Sequence, residues 1–380
     1  MINYKDFLKD IFDKRNTRVI KKTKMKKYYD SKYKSYVGKN LTSEMKQQID
    51  RYFLKHYGKK VPYIFHAVYY SINGKFDCRY FPENLYIPEF ERFMNDKEGF
   101  GKTLENKNFL PVVAKAAGVK MPDTLVNNVR NTFFDGDFNI IDKVEAVSLL
   151  RNSEGGFIIK PSVDTCGGTG IMVFNDTEDM SDDDLKELME SFGTDWIAQK
   201  LIKNHSKIAA IHKDSLQTFR IATYFKGGEI KFLPAIMRIG VGGSKIDNAS
   251  AGGIFVGILD DGSFTDCAYD NYGKKFASHP DSGIIFKGYK IDHFDRIKEA
   301  AAKIHRVVPQ MGVVNWDFTI DQDGEAVLIE ANCCFGGVTD MAQFTHGQGM
   351  FGDDTEEVLR WLNDMEKMTA TERKKSKRYF

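Results

Sequence analysis

A lysine at the end of an apolar strand, followed by a glycine-rich loop, is the first feature of this sequence that could do chemistry. Residues 155–171 predict an apolar strand that ends in Lys160 and Pro161, then a loop, then a second strand over 171–174. Glycines let backbone N–H groups approach a polyphosphate, and a lysine on the strand neutralises its charge. The loop residues are Cys166, Gly167, Gly168, Thr169 and Gly170. The pattern predicts a phosphate-binding hairpin, and the alternative is a glycine-rich hairpin without a ligand.

A second hairpin carries three oxygen-bearing side chains on one surface. Residues 313–321 predict a strand, 322–324 a tight turn, and 325–332 the returning strand. Asp317 lies in the middle of the first strand. Glu330 and Asn332 lie two residues apart on the second, so their side chains leave the same face. Carboxylate and amide oxygens suit Mg²⁺, with Mn²⁺ as the alternative ion. The hairpin predicts a metal site, or else a structural polar network at a sheet edge.

Two arginines and an asparagine follow between these hairpins. Arg220 and Arg238 lie on predicted central strands, where an unpaired arginine is unusual. Each could hold a phosphate or an acceptor through its planar fork, or could form a buried ion pair. Asn248 precedes a run of small residues, 249–253, where the backbone can approach a substrate closely. These three residues are the candidate catalytic groups.

Alternating helix and strand patterns must position these groups. Helical periodicity covers most of residues 1–60, then 108–117, 142–150, 183–192, 292–308 and a last helix over 354–368. Strand-like patterns cover 61–88, with 63–70 as the clearest part, then 124–126, 196–201 and most of 217–259. The resulting fold class is α+β. The predicted division is a basic helical arm (1–60), an N-terminal α/β domain (61–150), a subdomain with the phosphate hairpin (151–203), a subdomain with the metal hairpin (204–353), and a C-terminal helix with a basic tail (354–380).

Composition and charge narrow the class of protein. The 380 residues are 42% apolar and 13% aromatic, which argues against disorder. No apolar run is long enough to predict a membrane span, and the N-terminus has no apolar signal core. Five cysteines without a Cys-x-x-Cys pair predict reduced thiols, with Cys166 as a small loop residue. We expect a cytoplasmic enzyme.

Charge is distributed unevenly along the chain. The net charge is +2, but the first 60 residues carry +12, which leaves about −10 for the other 320. The C-terminal stretch 373–378 is basic as well. Such segments could contact anionic lipid, a membrane-bound glycosyltransferase complex, nucleic acid or an acidic polymer, and a plain solvated arm is the simpler interpretation. No nucleic-acid-binding motif accompanies the charge, so nucleic acid is not an expected partner.

Together the two hairpins resemble those of the ATP-grasp enzymes. The matching stretches are Lys160 with its glycine loop, residues 196–202, and the set Asp317, Glu330 and Asn332. The chain is most similar to the sugar-transfer-associated ATP-grasp group of bacterial polysaccharide loci, on the evidence of four further stretches. Those stretches are 216–221, 237–240, 247–248 with 252–254, and 315–317.

The resemblance implies that ATP lies between two antiparallel sheets. Lys160 would contact the α- or β-phosphate, and the loop 166–170 would close over the β/γ end. The adenine would lie against the segment that connects the sheets: Gln199, Lys200, Leu201 and Ile202. Lys107 matches the position of a second nucleotide-facing lysine. A plain surface lysine is the alternative at that position.

The resemblance also implies phosphoryl transfer from ATP. The usual outcome in this superfamily is an acyl phosphate that an amine converts to an amide, which gives a carboxylate–amine ligase acting on small molecules, here a sugar acid or sugar precursor. Two alternatives stay open at this point. A small-molecule kinase would leave the phosphoryl group on its acceptor, and a nucleotide-binding scaffold would have lost turnover.

Overall fold

The computed structural model describes residues 4–30, 33, 41–95, 99–163, 170–249, 252–333, 336, 339–376 and 380. Before the first strand the helices are α1 (Tyr4–Asp30), α2 (Ser43–His56), α3 (Ile64–Asn73), α4 (Glu83–Leu85), α5 (Arg92–Asn95), α6 (Gly101–Glu105) and α7 (Leu110–Ala117). A π-helical segment, Tyr86–Glu91, joins α4 to α5. Among the described residues, no helix is both long enough and apolar enough to cross a bilayer.

The first sheet contains the predicted phosphate hairpin. Its strands, in chain order, are β1 (Thr124–Val129), β2 (Thr132–Phe134), β3 (Ile140–Ile141), β4 (Phe157–Pro161), β5 (Met172–Phe174) and β6 (Trp196–Lys200). They are arranged in the order β3-β2-β1-β6-β4-β5, and every pairing is antiparallel. Helices α8 (Lys143–Arg151) and α9 (Asp182–Ser191) cover one face, and the core beneath them draws its buried residues from 125–198. The opposite face is left for other contacts.

The second sheet contains the predicted metal hairpin. Its strands are β7 (Thr218–Lys226), β8 (Glu229–Phe232), β9 (Ala235–Ile239), β10 (Ile254–Ile258), β11 (Phe264–Asp270), β12 (Lys275–Phe276), β13 (Val313–Ile320) and β14 (Ala326–Asn332). The order is β12-β11-β10-β9-β7-β13-β14, with β8 paired to β7. Helix α10 (Ser206–Ala209) precedes it, and the amphipathic helix α11 (Phe294–Val307) covers one face through Ile297, Ala301 and Ile304.

Three helices close the chain. They are α12 (Thr339–His346), α13 (Thr355–Lys367) and α14 (Ala370–Lys375), and α13 follows a 3-10 turn, Gly352–Asp354. Helix α13 packs against α2, and α12 packs against α3. The predicted helix over 354–368 therefore exists, but it is not the last one. The residues before β1 and after β14 share a core.

The strand-like pattern predicted over 61–88 was wrong, because this stretch contains helix α3, helix α4 and the start of the π-helical segment, and no strand. Six consecutive residues from Ile64 to Tyr69 are buried, so the helix is apolar on nearly every side. A helix buried all round has no amphipathic stripe, and a short apolar run does not distinguish it from a strand. Gly74, with φ of 78°, ends the helix in the left-handed conformation that glycine adopts readily.

The predicted boundary at residue 151 also needs correction. Strands β1, β2 and β3 lie before it and strands β4, β5 and β6 after it, yet all six form one sheet over one core. The physical reason is that β1 pairs directly with β6, so the edge strands cannot bury their apolar faces without the later ones. The sheet and its helices form a contiguous segment of the chain from about residue 124 to 200.

Two connections join this segment to the rest of the chain, and both lie against the β13–β14 hairpin. On the incoming connection, the Lys120 carbonyl accepts a hydrogen bond from the Leu328 N–H at 2.9 Å. On the outgoing connection, the His205 N–H donates to the Ile320 carbonyl at 2.9 Å. The two connections are also bonded to each other, because the Lys200 N–H donates to the Asp123 carbonyl.

Candidate functional site

Lys160 lies on the face of the first sheet that α8 and α9 leave uncovered. Phe157 and Ile159 of β4 point into the core under those helices. Because side chains alternate along a strand, Lys160 points to the opposite face. Its side chain is nevertheless only 6% exposed, which places an ammonium group in a nearly closed environment. Gln199 lies on the same face as Lys160, since it pairs with Ile158 across the sheet.

On the second sheet, a row of charged residues crosses three adjacent strands. Asp317 of β13 pairs with Glu330 of β14 on one side and with Arg220 of β7 on the other. Directly paired residues of antiparallel strands share a face, so all three side chains point the same way. That face is opposite α11, because Trp316 and Phe318, the neighbours of Asp317, lie in the core beneath α11. The predicted placement of Asp317, Glu330 and Asn332 on one surface is confirmed.

The two candidate arginines both bind Asp317, which is fully buried. Arg220 holds both carboxylate oxygens, one through Nε and the other through Nη2 at 2.7 Å. Arg238 Nη2 donates to Oδ2 at 2.8 Å. Arg220 Nη1 also donates to the Gly336 carbonyl at 2.9 Å. The structure thus places the arginines in a buried ion-pair network, the alternative left open by the sequence, and it fixes the planes of both guanidinium groups at the site.

This network has opposite effects on its two carboxylates. Burial alone would raise the pKa of Asp317, but the adjacent guanidinium groups of Arg220 and Arg238 outweigh burial and hold that pKa well below its ordinary value. Partial burial and, after it, the Asp317 charge raise the pKa of Glu330, while the charges of Arg220, 3.8 Å away, and of Lys107 lower it. The net effect disfavours the charged form of Glu330, and an added cation would stabilise that form.

Electrostatics connect the two sheets at this point. Burial and, after it, the charge of Lys107 lower the pKa of Lys160 to about 8, although the charge of Glu330 opposes both. Lys160 belongs to the first sheet and Glu330 to the second, so the two faces meet at one location. Lys107 is held beside it, because its N–H donates to the carbonyl of Ser162 at 2.9 Å. Two lysines and a polar row therefore converge between the sheets.

The metal ligands predicted from the hairpin differ in exposure and in hydrogen bonding. Glu330 is about one-third exposed and Asn332 partly exposed, and Asn332 Nδ2 donates weakly to Glu330 Oε1 at 3.4 Å. Asp317 Oδ1 accepts a hydrogen bond from Arg220 Nε, and the Asp317 carboxylate also lies within hydrogen-bonding reach of the Glu330 carboxyl. Among the described residues no cluster of three or more His, Cys, Asp or Glu side chains could hold an ion. The donor set fits Mg²⁺, which needs few protein ligands when phosphate oxygens complete its shell.

The segment predicted to lie against adenine connects the two sheets. The Gln199 side chain is buried and donates to the Pro122 carbonyl at 3.2 Å, which ties β6 to the incoming connection. Lys200 is exposed and pairs with Asp123 at 3.3 Å. Leu201 and Ile202 are partly exposed, so their apolar side chains are accessible in the segment that leaves β6.

Part of the predicted phosphate loop lies outside the described residues: Cys166, Gly167, Gly168 and Thr169. Gly170, which is described, has φ of 75°, and a Cβ there would lie 3.1 Å from Pro161 Cγ. Both facts require glycine at this position. Asn248 is partly buried, and its carbonyl accepts the Gly253 N–H at 3.2 Å, which closes the loop before β10.

Thr218 and Asp247 also contribute to the site, although neither is among the predicted site residues. The Thr218 hydroxyl accepts from Arg238 Nε at 3.0 Å and donates to Asp247 Oδ2 at 2.5 Å. Asp247 is buried and also accepts from the Thr218 N–H at 2.8 Å. Thr218 was predictable, since it lies two residues from Arg220 on one strand and so shares its face. Asp247 lies in a loop, where no periodicity indicates orientation.

Comparisons with known proteins agree with this geometry. The sequence model of the sugar-transfer associated ATP-grasp family matches residues 87–358, which is more than half of the chain. This chain therefore belongs to the sugar-transfer associated ATP-grasp family, and its α+β fold with two antiparallel sheets is the ATP-grasp fold. The comparison with curated proteins gave no match.

Solved structures with a similar fold include three enzymes. D-alanyl-alanine synthetase A from Vibrio cholerae is 12% identical, with 71% of this chain and 65% of that chain covered and a TM-score of 0.41. Biotin carboxylase from Campylobacter jejuni is 15% identical, with 68% and 46% covered and a TM-score of 0.42. L-amino acid ligase from Bacillus licheniformis is 13% identical, with 68% and 48% covered and a TM-score of 0.38. The chain spans about half the length of the last two.

Proposed function

We propose that this protein is an ATP-dependent carboxylate–amine ligase that acts through an acyl phosphate. The observation that carries the proposal is the convergence of Lys160 and Lys107 with the row Glu330, Asp317 and Arg220 between the two sheets. Two ammonium groups fit a polyphosphate, and the oxygen donors opposite them fit the cation that accompanies it. Family membership supports ATP as the nucleotide.

In the proposed reaction, a substrate carboxylate attacks the γ-phosphorus of ATP, and the bond to ADP breaks. An amine then attacks the acyl carbon, phosphate leaves, and the amine loses a proton. Lys160 binds the α- or β-phosphate in its charged form. Arg238, held in place by Asp317 and Thr218, offers its remaining N–H groups to the γ-phosphate or the acyl phosphate.

Glu330, Asn332 and one oxygen of Asp317 would hold Mg²⁺, which would neutralise phosphate charge when bound. Mn²⁺ prefers the same oxygen ligands and is the alternative ion. Asn248 lies at the edge of the same loop as Asp247, where we propose that it contacts the acceptor. The family description supports a sugar acid or sugar-linked amine as the substrate.

The test is phosphorus NMR of the purified protein with Mg·ATP and pooled uronic acids, amino acids and amines. A ligase forms ADP and free phosphate only when both an acid and an amine are present. A kinase forms ADP and a new, persistent phosphorus resonance with a single acceptor. Nucleotide binding without ADP formation under any combination would contradict both enzymes and leave a scaffold. Glu330→Gln serves as the control for contaminating ATPase activity.

A further inference from the structure

The N-terminal helix α1 presents one face that the rest of the protein leaves uncovered. Ion pairs fix the inner face: Lys24 with Glu83 at 2.8 Å, Asp13 with Arg373 at 2.5 Å, and Lys21 with the buried Glu89. Because these contacts hold the helix on one side, its opposite side is set toward solvent. We name the outer residues the outward face of α1: Ile11, Phe12, Arg15, Arg18, Val19, Lys22 and Lys26.

Apolar and cationic side chains alternate on the outward face. Phe12 is 58% exposed, Val19 54% and Ile11 45%, which is unusual for three large apolar residues on one helix. Arg15, Arg18, Lys22 and Lys26 are exposed between and beside them. At 3.6 residues per turn, these residues lie within about half of the helix circumference.

The outward face carries no negative charge. Between residues 8 and 26 the acids are Asp10 and Asp13, and their side chains are only 14% and 15% exposed on the inner side. Within the described part of the chain, no carboxylate pairs with Arg15, Arg18, Lys22 or Lys26. Helix α14, which lies beside α1, adds the exposed Lys374 and Lys375.

We infer that the outward face of α1 docks this protein on an anionic phospholipid surface. Cations attract the headgroups, and Phe12, Ile11 and Val19 enter the boundary between headgroups and acyl chains. Nucleic acid would satisfy only the cations, because Ile11 and Val19 have no ring to stack on a base. At 27 residues, α1 is about 40 Å long and could lie in the membrane plane. The inference does not depend on the proposed reaction.

The experiment is co-sedimentation of the full chain with phosphatidylcholine vesicles, with and without phosphatidylglycerol. We expect binding only to the anionic vesicles, weakened by salt. Replacing Arg15, Arg18 and Lys22 by Gln should weaken partitioning about 100-fold, since each cation contributes about five-fold. A matched triple of exposed lysines elsewhere, Lys287, Lys290 and Lys303, should have little effect when changed to Gln.

A second pair of variants tests the apolar part of the surface. Phe12→Ser with Val19→Ser should weaken binding by about ten-fold. Ile140→Ser with Val144→Ser removes two side chains that are also exposed, at 74% and 71%, and should not. The inference would be overturned by equal binding to neutral and anionic vesicles, or by an equal loss of binding in the two triple variants. It would also be overturned by tighter binding to RNA or duplex DNA, or by a dimer that the α1 variants disrupt without any vesicle binding.

Discussion

Replacing Lys160 by Met should stabilise the protein and abolish its affinity for ATP. The Lys160 ammonium group is nearly buried, and its pKa is lowered to about 8 by burial and by Lys107. In the unfolded chain a lysine has a pKa of about 10.4. Keeping Lys160 charged in the folded protein therefore lowers the free energy of unfolding. Methionine has a similar unbranched shape and no charge, so it avoids this loss.

The cost follows from the two pKa values. A difference between about 10.4 and about 8 corresponds to about 3 kcal/mol at neutral pH. For 380 residues, with an unfolding entropy near 0.8 kcal/mol/K, this raises Tm by about 4 °C. Between pH 8 and 10.4 the unfolded state binds more protons than the folded state, so wild-type stability rises with pH there. The advantage of Lys160→Met is complete below about pH 8 and disappears above about pH 10.4.

ATP affinity should also depend on pH, but it should fall as pH rises, whereas stability rises. In the proposed site ATP binds the charged form of Lys160, so ATP affinity should fall as pH rises through about 8 and should be about ten-fold weaker at pH 9 than at pH 7. Lys160→Arg should remove this dependence, because arginine stays charged. Lys107→Met should move the midpoint upward, since the Lys107 charge lowers the pKa of Lys160.

Differential scanning calorimetry and isothermal titration calorimetry over pH 6–10 give both quantities. A lower Tm for Lys160→Met would contradict the first expectation, because Lys160 would then be stabilised by its partners. Wild-type ATP affinity in Lys160→Met would contradict the second, because the lysine would not face the phosphates.

Two further predictions concern the polar row. Asp317→Asn leaves the charges of Arg220 and Arg238 without their buried partner, so it should lower the free energy of unfolding, measured by urea denaturation, by about 3–5 kcal/mol. Glu330→Gln removes a repelled charge, so it should change that free energy by less than about 1 kcal/mol while abolishing Mg²⁺-dependent ADP formation. Similar losses of stability in the two variants would contradict the proposed network. Thr218→Val should lower kcat by at least about ten-fold with little change in KM for ATP, because Arg238 loses its orienting hydroxyl, and Thr218→Ser should restore kcat; equal activity in Val and Ser variants would exclude that role.

Short-range patterns explain why much of the site could be predicted from the sequence. The period of two along β13 and β14 placed Asp317, Glu330 and Asn332 on one face, and the register confirms it. The apolar stretch before Lys160 likewise predicted a strand that ends in Lys160 and Pro161, as β4 does. Such predictions succeed because side-chain direction within a strand is set locally.

What could not be predicted depends on contacts between distant segments. The engagement of Arg220 with Asp317 joins residues 97 positions apart. Helix α3 is buried on nearly all sides, so tertiary packing rather than amphipathic periodicity defines it. The pairing of β1 with β6 unites segments on both sides of residue 151, where the order of predicted helices and strands placed a domain boundary.

The attachment of both connections to one hairpin determines how the sheets can move. The first sheet carries its own core, so we expect it to move as a rigid body. Its two links, near Lys120 and His205, are fastened side by side to β13 and β14. Because these two attachments lie side by side, we expect the sheet to rotate about the line between them, with the bonds from the Lys107 N–H to the Ser162 carbonyl and from Asn108 Nδ2 to the Asn128 carbonyl shifting as it does. The space between the two sheets should therefore open and close by rotation of the first sheet, and this rotation would carry Lys160 toward or away from Glu330.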